Sequence, residues 1–389
     1  MKVISLEDRK QFGRVFTPRA IARMLVVWAI RRDQDVLLDP ACGDGEFLAL
    51  HHPSVGVELD SDCVASSHIR APKASIYHSD FFQWASTTTA RFDAAAGNPP
   101  FIRYQRFSGK TRLLALDLAN KLGVRLSGLA SSWAPFLVVT GALLKPGGRM
   151  AFVVPAEIGH APYSIPVIQY LCSHFELVRV VAVRKSIFSD LSEGAWLLLA
   201  DGYGGAAKRI ELAICDDLSE CRFDEMAWKP ISLTSWEDAG FRLRKFLISD
   251  EGLSLYRSIC SREGVSRLGD LANTGIGYVS GANDYFHLKP SEVKRYGIPN
   301  RFVVPAIRRS RQLPVGSVST EVVDQWIVSD LPIMLLRLTR AQRLTSGVKS
   351  YLNIGIARNV QSRYKCRNRD PRWFPARRYL SYTSSHIRI

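Results

Sequence analysis

At 389 residues the chain is long enough for about two domains, and its 47% hydrophobic content is that of a globular protein and excludes wholesale disorder. No apolar run approaches the ~20 residues of a membrane span, and Met1–Phe16 has no apolar core of signal-peptide type. The net charge of +16 is confined to one end: residues 1–240 carry 26 Lys and Arg against 26 Asp and Glu, whereas residues 241–389 carry 26 against 10. That asymmetry implies a catalytic unit over 1–240 joined to a polyanion-binding unit over 241–389. The seven cysteines stand singly, without a Cys-x-x-Cys pair. They argue against a metal site and against a disulfide framework, and read as small buried hydrophobes in a reducing cytoplasm.

In chain order, a helix is expected over Arg19–Ile30, just after Pro18. Short apolar runs then predict strands at Val36–Leu38, Val55–Val57, Ile76–His78 and Phe92–Ala96. A helix over Ser132–Leu144 should stop at Lys145-Pro146-Gly147-Gly148, and strands should follow at Arg149–Val154, Leu177–Val183 and Trp196–Leu199. Strands alternating with helices imply an α/β fold with a largely parallel, doubly wound sheet and helices on both faces. Beyond residue 240 Gly, Pro and Arg punctuate shorter segments, and Arg and aromatics crowd the end, as in Arg363–Phe374.

Leu38–Phe47, reading LDPACGDGEF, follows a buried strand and is expected to open a helix. Asp39, Pro40, Ala41, Gly43 and Gly45 mark this turn as a ligand loop, with glycines admitting a close backbone approach. It lacks the third glycine of a dinucleotide loop, and its acids would repel a pyrophosphate. Asp39, Asp44 and Glu46 suit a cationic ligand instead. Glu58, followed by Leu59, falls at the tip of the second strand and can accept two ribose hydroxyls; Asp80 falls at the tip of the third and can accept from an adenine amino group. Phe81 can lie against that ring.

Asn98-Pro99-Pro100-Phe101 ends the fourth strand. Two prolines remove two donors and hold the chain extended, so the Pro99 carbonyl can stand beside the Asn98 side-chain oxygen. Two adjacent acceptors bind both hydrogens of a planar amine, favour its pyramidal form and stabilise the charge that grows on nitrogen during alkylation. Phe101 offers a flat face to the base.

These residues resemble the adenine-specific (N6) DNA methyltransferases of bacterial restriction–modification systems, in the class whose cofactor motif precedes the Asn-Pro-Pro-aromatic motif and whose target-recognition domain comes last. The resemblance implies a Rossmann-like methyltransferase sheet, S-adenosylmethionine as cofactor, no metal, and an α+β recognition domain over 241–389. It implies methylation of the exocyclic amino group of adenine in a specific double-stranded DNA sequence, after base flipping. By the same resemblance Thr17 and Pro18 close over the methionine end of the cofactor. Phe188 stacks on the face of the flipped base opposite Phe101, and the segments Asn283–Phe286 and Tyr364–Arg367 belong to target recognition. A cognate nuclease or specificity subunit is an expected partner, and the bacterial cytoplasm, at the nucleoid, the expected location. Recognition domains of this family usually run further than Ile389, so a shortened member is expected. RNA or protein-glutamine methylation, cytosine amino methylation, and a non-catalytic DNA-binding specificity component are the alternative readings.

Overall fold

A computed structural model describes residues 17–184, 194–218, 221–271, 279–308, 312–314, 317–338, 343–369 and 373–374. The chain divides into two compact units, Met1–Val265 and Ser266–Ile389. The strands of the first are β1 (Leu37–Asp39), β2 (Ser54–Glu58), β3 (Ser75–His78), β4 (Phe92–Gly97), β5 (Leu144–Pro155), β6 (Phe175–Val183), β7 (Ala195–Tyr203), β8 (Arg209–Cys215) and β9 (Lys229–Ser232). They form one sheet in the order β3-β2-β1-β4-β5-β7-β6-β8-β9.

β1 to β5 are parallel, as expected. The other half is mixed, because β7 runs antiparallel to both β5 and β6. Only residues 184–194 separate β6 from β7, too few for the helical crossover that a parallel return requires. β8 and β9, which the sequence did not announce, extend this edge.

Alternation along the central strands builds a core on each face. Ala94, Ala96, Ala151 and Val153 pack with helix α1 (Arg19–Ala29), whose buried residues Ile21, Ala22, Leu25, Val26 and Ala29 make one helical stripe. Their neighbours Ala95, Met150, Phe152 and Val154 face the other way. α2 (Ser61–Arg70) packs beside the loop after β1, where Arg70 pairs with Asp44 and Glu46, and the far side is covered by α3 (Phe81–Thr87), α4 (Gly109–Lys121), α5 (Trp133–Ala142) and α6 (Ile165–His174). α5 is apolar almost all round and nearly every residue in it is buried, as its place against the sheet demands.

Three local expectations are corrected. The loop after β1 opens no α-helix, only the 3-10 turn Leu48–Leu50, because Pro53 and β2 follow within a few residues. The helix stops as expected, at Ala142, but the strand expected from Arg149 already begins at Leu144, with Lys145–Gly148 bulging between the pairs Phe92–Leu144 and Ala94–Arg149. Cys215 and Cys221, read as unpaired, form a disulfide with Cα atoms 6.6 Å apart, since the chain turns back just after β8. Cys42, Cys63, Cys172 and Cys366 are buried and not disulfide-bonded.

The compact units meet at 265/266, whereas the charge changes at 240/241. After α7 (Leu233–Asp238) the chain stays on the first unit: Leu243 is buried there and Phe241, Phe246 and Leu247 pack against it. Its last helix, α8 (Asp250–Cys260), buries no residue.

The second unit is α+β. Its strands β10 (His287–Leu288), β11 (Val303–Pro305) and β12 (Met334–Leu336) form an antiparallel sheet in the order β10-β12-β11. Phe286, Phe302, Leu336, Val348 and Tyr351 share its core, the last two from helix α9 (Ser346–Ala357). Tyr285 and Tyr351 stack at 4.7 Å, and each hydroxyl donates to the other's carbonyl at 2.7 Å. Among the described residues no helix is long and apolar enough to cross a membrane.

Candidate active site

Strand order reverses between β1 and β4, and an open α/β sheet binds ligands at such a point, outside the carboxyl ends of its strands. A cavity of about 400 Å³ opens there. Pro40, Ala41 and Gly43 line it from the loop after β1, Glu58, Leu59 and Asp60 from the end of β2, and Asp80, Phe81 and Phe82 from the end of β3. Asn98, Pro100 and Ile102 reach it from β4, and Thr111, Ser132 and Phe136 from α4 and α5.

The acids divide by their partners. Asp44 and Glu46 both pair with Arg70, and Glu46 also with Arg19 at 3.1 Å. They are neutralised within the protein, so the cationic-ligand argument narrows to Asp39, Glu58 and Asp80. The Glu58 carboxylate accepts from the Gly43 amide at 2.9 Å and from Asp60 at 2.8 Å, which ties the loop to β2 and leaves further lone pairs for hydroxyl donors. Asp80 caps α3, accepting from Phe82 and Gln83, and its other oxygen accepts from the Thr111 hydroxyl at 2.7 Å.

Asp39 is 1% exposed, and its Oδ2 is buried without a hydrogen-bond partner. Burial pushes its carboxyl up to about 8; the Glu58 and Asp44 charges act in the same direction, and the Ala41 amide opposes them. It stands directly behind β4: a Cβ on Gly97 would lie 2.6 Å from its Oδ1. Gly43, at φ +54°, has open space where its Cβ would be. An unmet buried carboxylate oxygen, a bare backbone cradle and a hydroxyl-accepting Glu fit a ligand with a cationic centre and a ribose. They fit S-adenosylmethionine and would repel a pyrophosphate. The absence of an α-helix after the loop points the same way, because a helix N-terminus favours anions.

At the tetrapeptide, Asn98 and Pro100 are half-buried in the cavity wall and Pro99 is buried behind them. Phe101 is half-buried against the cores on both faces of the sheet. Phe81 stacks on Phe136 at 4.9 Å, and both line the cavity. The cavity wall thus brings Glu58 and Asp80 beside Asn98 and Pro100, whereas Asp39, Pro99 and Phe101 stand behind or off it.

Other predicted residues lie off the wall. Gly45, at φ +85°, faces α2, where its Cβ would come within 3.0 Å of Ser67; its glycine permits packing of the loop on that helix. Thr17 is buried and Pro18 precedes α1, neither on the wall. Phe188 lies outside the described residues. In the second unit Tyr285, Phe286 and Cys366 are buried and Asp284 pairs with Arg363, so the segments expected to read bases also build the core. Asp60, Ile102, Thr111, Ser132 and Phe136 were missed. Asp60, which caps α2, carries a local signal in Asp-Ser-Asp and Ile102 directly follows the tetrapeptide; the other three reach the site only through tertiary packing.

Two family models match the chain: N-6 DNA Methylase over residues 1–190, and the C-terminal domain of the Type II methyltransferase M.Eco57I over residues 242–379. Among curated proteins, Type II methyltransferase M.AccI of Acinetobacter calcoaceticus is 23% identical over 96% of this chain and 70% of its own length. M.XamI of Xanthomonas campestris pv. amaranthicola is 22% identical over 93% and 68%. Solved structures share the fold. A DrdV–DNA complex superposes with a TM-score of 0.54 at 12% identity, covering 83% of this chain and 42% of that one. The type IIG restriction endonuclease BpuSI gives 0.50 at 16% identity, covering 92% and 47%. With its cofactor loop, its Asn-Pro-Pro-Phe tetrapeptide and both family models in register along its length, the chain belongs to the N6-adenine DNA methyltransferase family.

Proposed function

We propose that the chain methylates the exocyclic amino group of adenine within a specific sequence of double-stranded DNA, with Asn98-Pro99-Pro100-Phe101 as the acceptor site. The observation that carries this reading is the placement of Asn98 and Pro100 on the same cavity wall as Gly43, Glu58 and Asp80. S-adenosylmethionine supplies an electrophilic methyl group on a sulfonium. Glu58 accepts the ribose hydroxyls, Asp80 the adenine amino group, Leu59 and Phe81 flank that ring, and Asp39 faces the cationic end, with Pro40, Ala41, Gly43 and Gly45 shaping the loop and Thr17 and Pro18 closing over the methionine end.

An adenine amino group in a duplex is out of reach of such a cavity, so the nucleotide flips out. It stacks on Phe101, with Phe188 on its other face. Asn98 Oδ1 and the Pro99 carbonyl accept both amino hydrogens, which draws the nitrogen lone pair out of conjugation and stabilises the ammonium as it forms. One proton then leaves to water. The second unit binds DNA phosphates, and a cognate restriction nuclease or specificity subunit is the natural partner in a cytoplasmic, nucleoid-associated role.

The test is transfer of a labelled methyl group to unmethylated phage genomic DNA, with the nucleosides then identified by mass spectrometry. N6-methyladenine is expected as product. Asn98→Ala should abolish transfer with cofactor affinity within about threefold, as for a group that acts on the acceptor. Normal turnover by that variant would sink the assignment of the tetrapeptide.

A further inference from the structure

We infer that Ser132 is a positioning residue for the acceptor site, an assignment that rests on the reading of Asn98–Phe101 as that site. Two adjacent prolines deprive the loop after β4 of two donors, so ordinary strand pairing cannot hold it. Ser132 supplies the missing ties from the start of α5. Its hydroxyl accepts from the Ile102 amide at 2.9 Å and donates to the Pro100 carbonyl, while its own amide donates to the Ile102 carbonyl at 3.0 Å. One side chain engages backbone on both sides of Phe101, and among small side chains only a hydroxyl donates and accepts at once.

The clamp stands on a fixed base. Ser132 is 1% exposed and lies on the cavity wall. Its neighbours are locked: Trp133 Nε1 donates to Glu157 at 2.9 Å and to the Tyr163 hydroxyl at 3.2 Å, and that hydroxyl also bonds Ser131 at 3.0 Å. The buried body of α5 carries this group against the sheet. The cofactor-facing acids sit on β1, β2 and the start of α3, outside the clamp. Ser132 therefore governs where the Asn98–Pro99 acceptors stand, while its hydroxyl is spent on the loop backbone.

In the full chain, Ser132→Ala should lower kcat by about a hundredfold at saturating DNA and cofactor, the loss expected of a displacement near 1 Å. Cofactor Kd and KM should stay within about threefold. Amide hydrogen exchange should rise over residues 98–104 and stay unchanged over 37–60. Retained kcat, unchanged exchange at 98–104, or a matched loss of kcat, cofactor affinity and Tm would each overturn the assignment, the last by showing a merely structural role. Asn98→Ala in parallel separates the two readings: if it turns over normally the acceptor site itself is wrong, whereas an inactive Asn98→Ala beside a fully active Ser132→Ala removes only the clamp. The exchange measurement decides even where the DNA offered is not turned over.

Discussion

Asp39 combines full burial with an oxygen that meets no donor, and burial raises its carboxyl to about 8. With a folded value above the unfolded one, the native state holds the proton more tightly. The stability this contributes is present below about pH 4 and is lost as pH rises through about 8. Asp39→Asn, which mimics the protonated form, should match the cofactor-free protein in Tm near pH 4 and exceed it increasingly towards pH 8, as thermal scans across that range would read. A cation at the site favours the ionised form. Cofactor affinity should therefore tighten from pH 6 to about 8 in the native protein and be flat in Asp39→Asn, measured by calorimetric titration. Glu58 is a different case, because both its oxygens already accept backbone amides. Glu58→Gln turns a donor towards a donor. Loss of a charged hydrogen bond, about 1.5–3 kcal/mol, should weaken cofactor binding about ten- to hundredfold.

At the scale of elements, β4 delivers chemistry because its neighbours crowd it. The Ala94-Ala95-Ala96-Gly97 run lets sheet and helices close tightly around a strand that ends at Asn98, and at Gly97 the space beyond Cα is already taken by Asp39. Gly97→Ala should force the two loops apart and lower both cofactor affinity and methyl transfer, with refolding yield as a control for the core. In the second unit the reciprocal Tyr285–Tyr351 pair joins α9 to the start of β10. Tyr351→Phe leaves the Tyr285 carbonyl unmet at a cost of about 1 kcal/mol. In a unit of this size that corresponds to a Tm lower by about 3–6 °C, and calorimetry of the full chain would show it in one transition.

At the scale of the molecule, charge and catalysis are divided between the units. Ser266–Ile389 carries 21 Lys and Arg against 7 Asp and Glu, and Met1–Val265 only two more bases than acids. Lys294 and Arg295 are exposed on the second unit. Replacing both by Ala should reduce the slope of log K against log salt for duplex DNA by up to about 1.8, with cofactor affinity unchanged. An unaltered slope would place the phosphate contacts elsewhere on that unit.

What the sequence by itself determined is the local chemistry: the glycine cradle at Gly43, acids at the tips of β2 and β3, the Asn-Pro-Pro-Phe tetrapeptide, and a basic second half. Each follows from residue types within a few positions of one another, which is the range over which turns, strand alternation and proline constraints act. Tertiary structure alone decided which acids remain available, since Arg70 and Arg19 neutralise Asp44 and Glu46 across the fold. It also decided that Gly45 packs against Ser67, that residues 241–247 belong to the first core, and that Ser132 bonds the loop after β4 from some thirty residues away. Those facts depend on contacts between distant segments, and no local pattern records which partner a side chain will meet once the chain closes on itself.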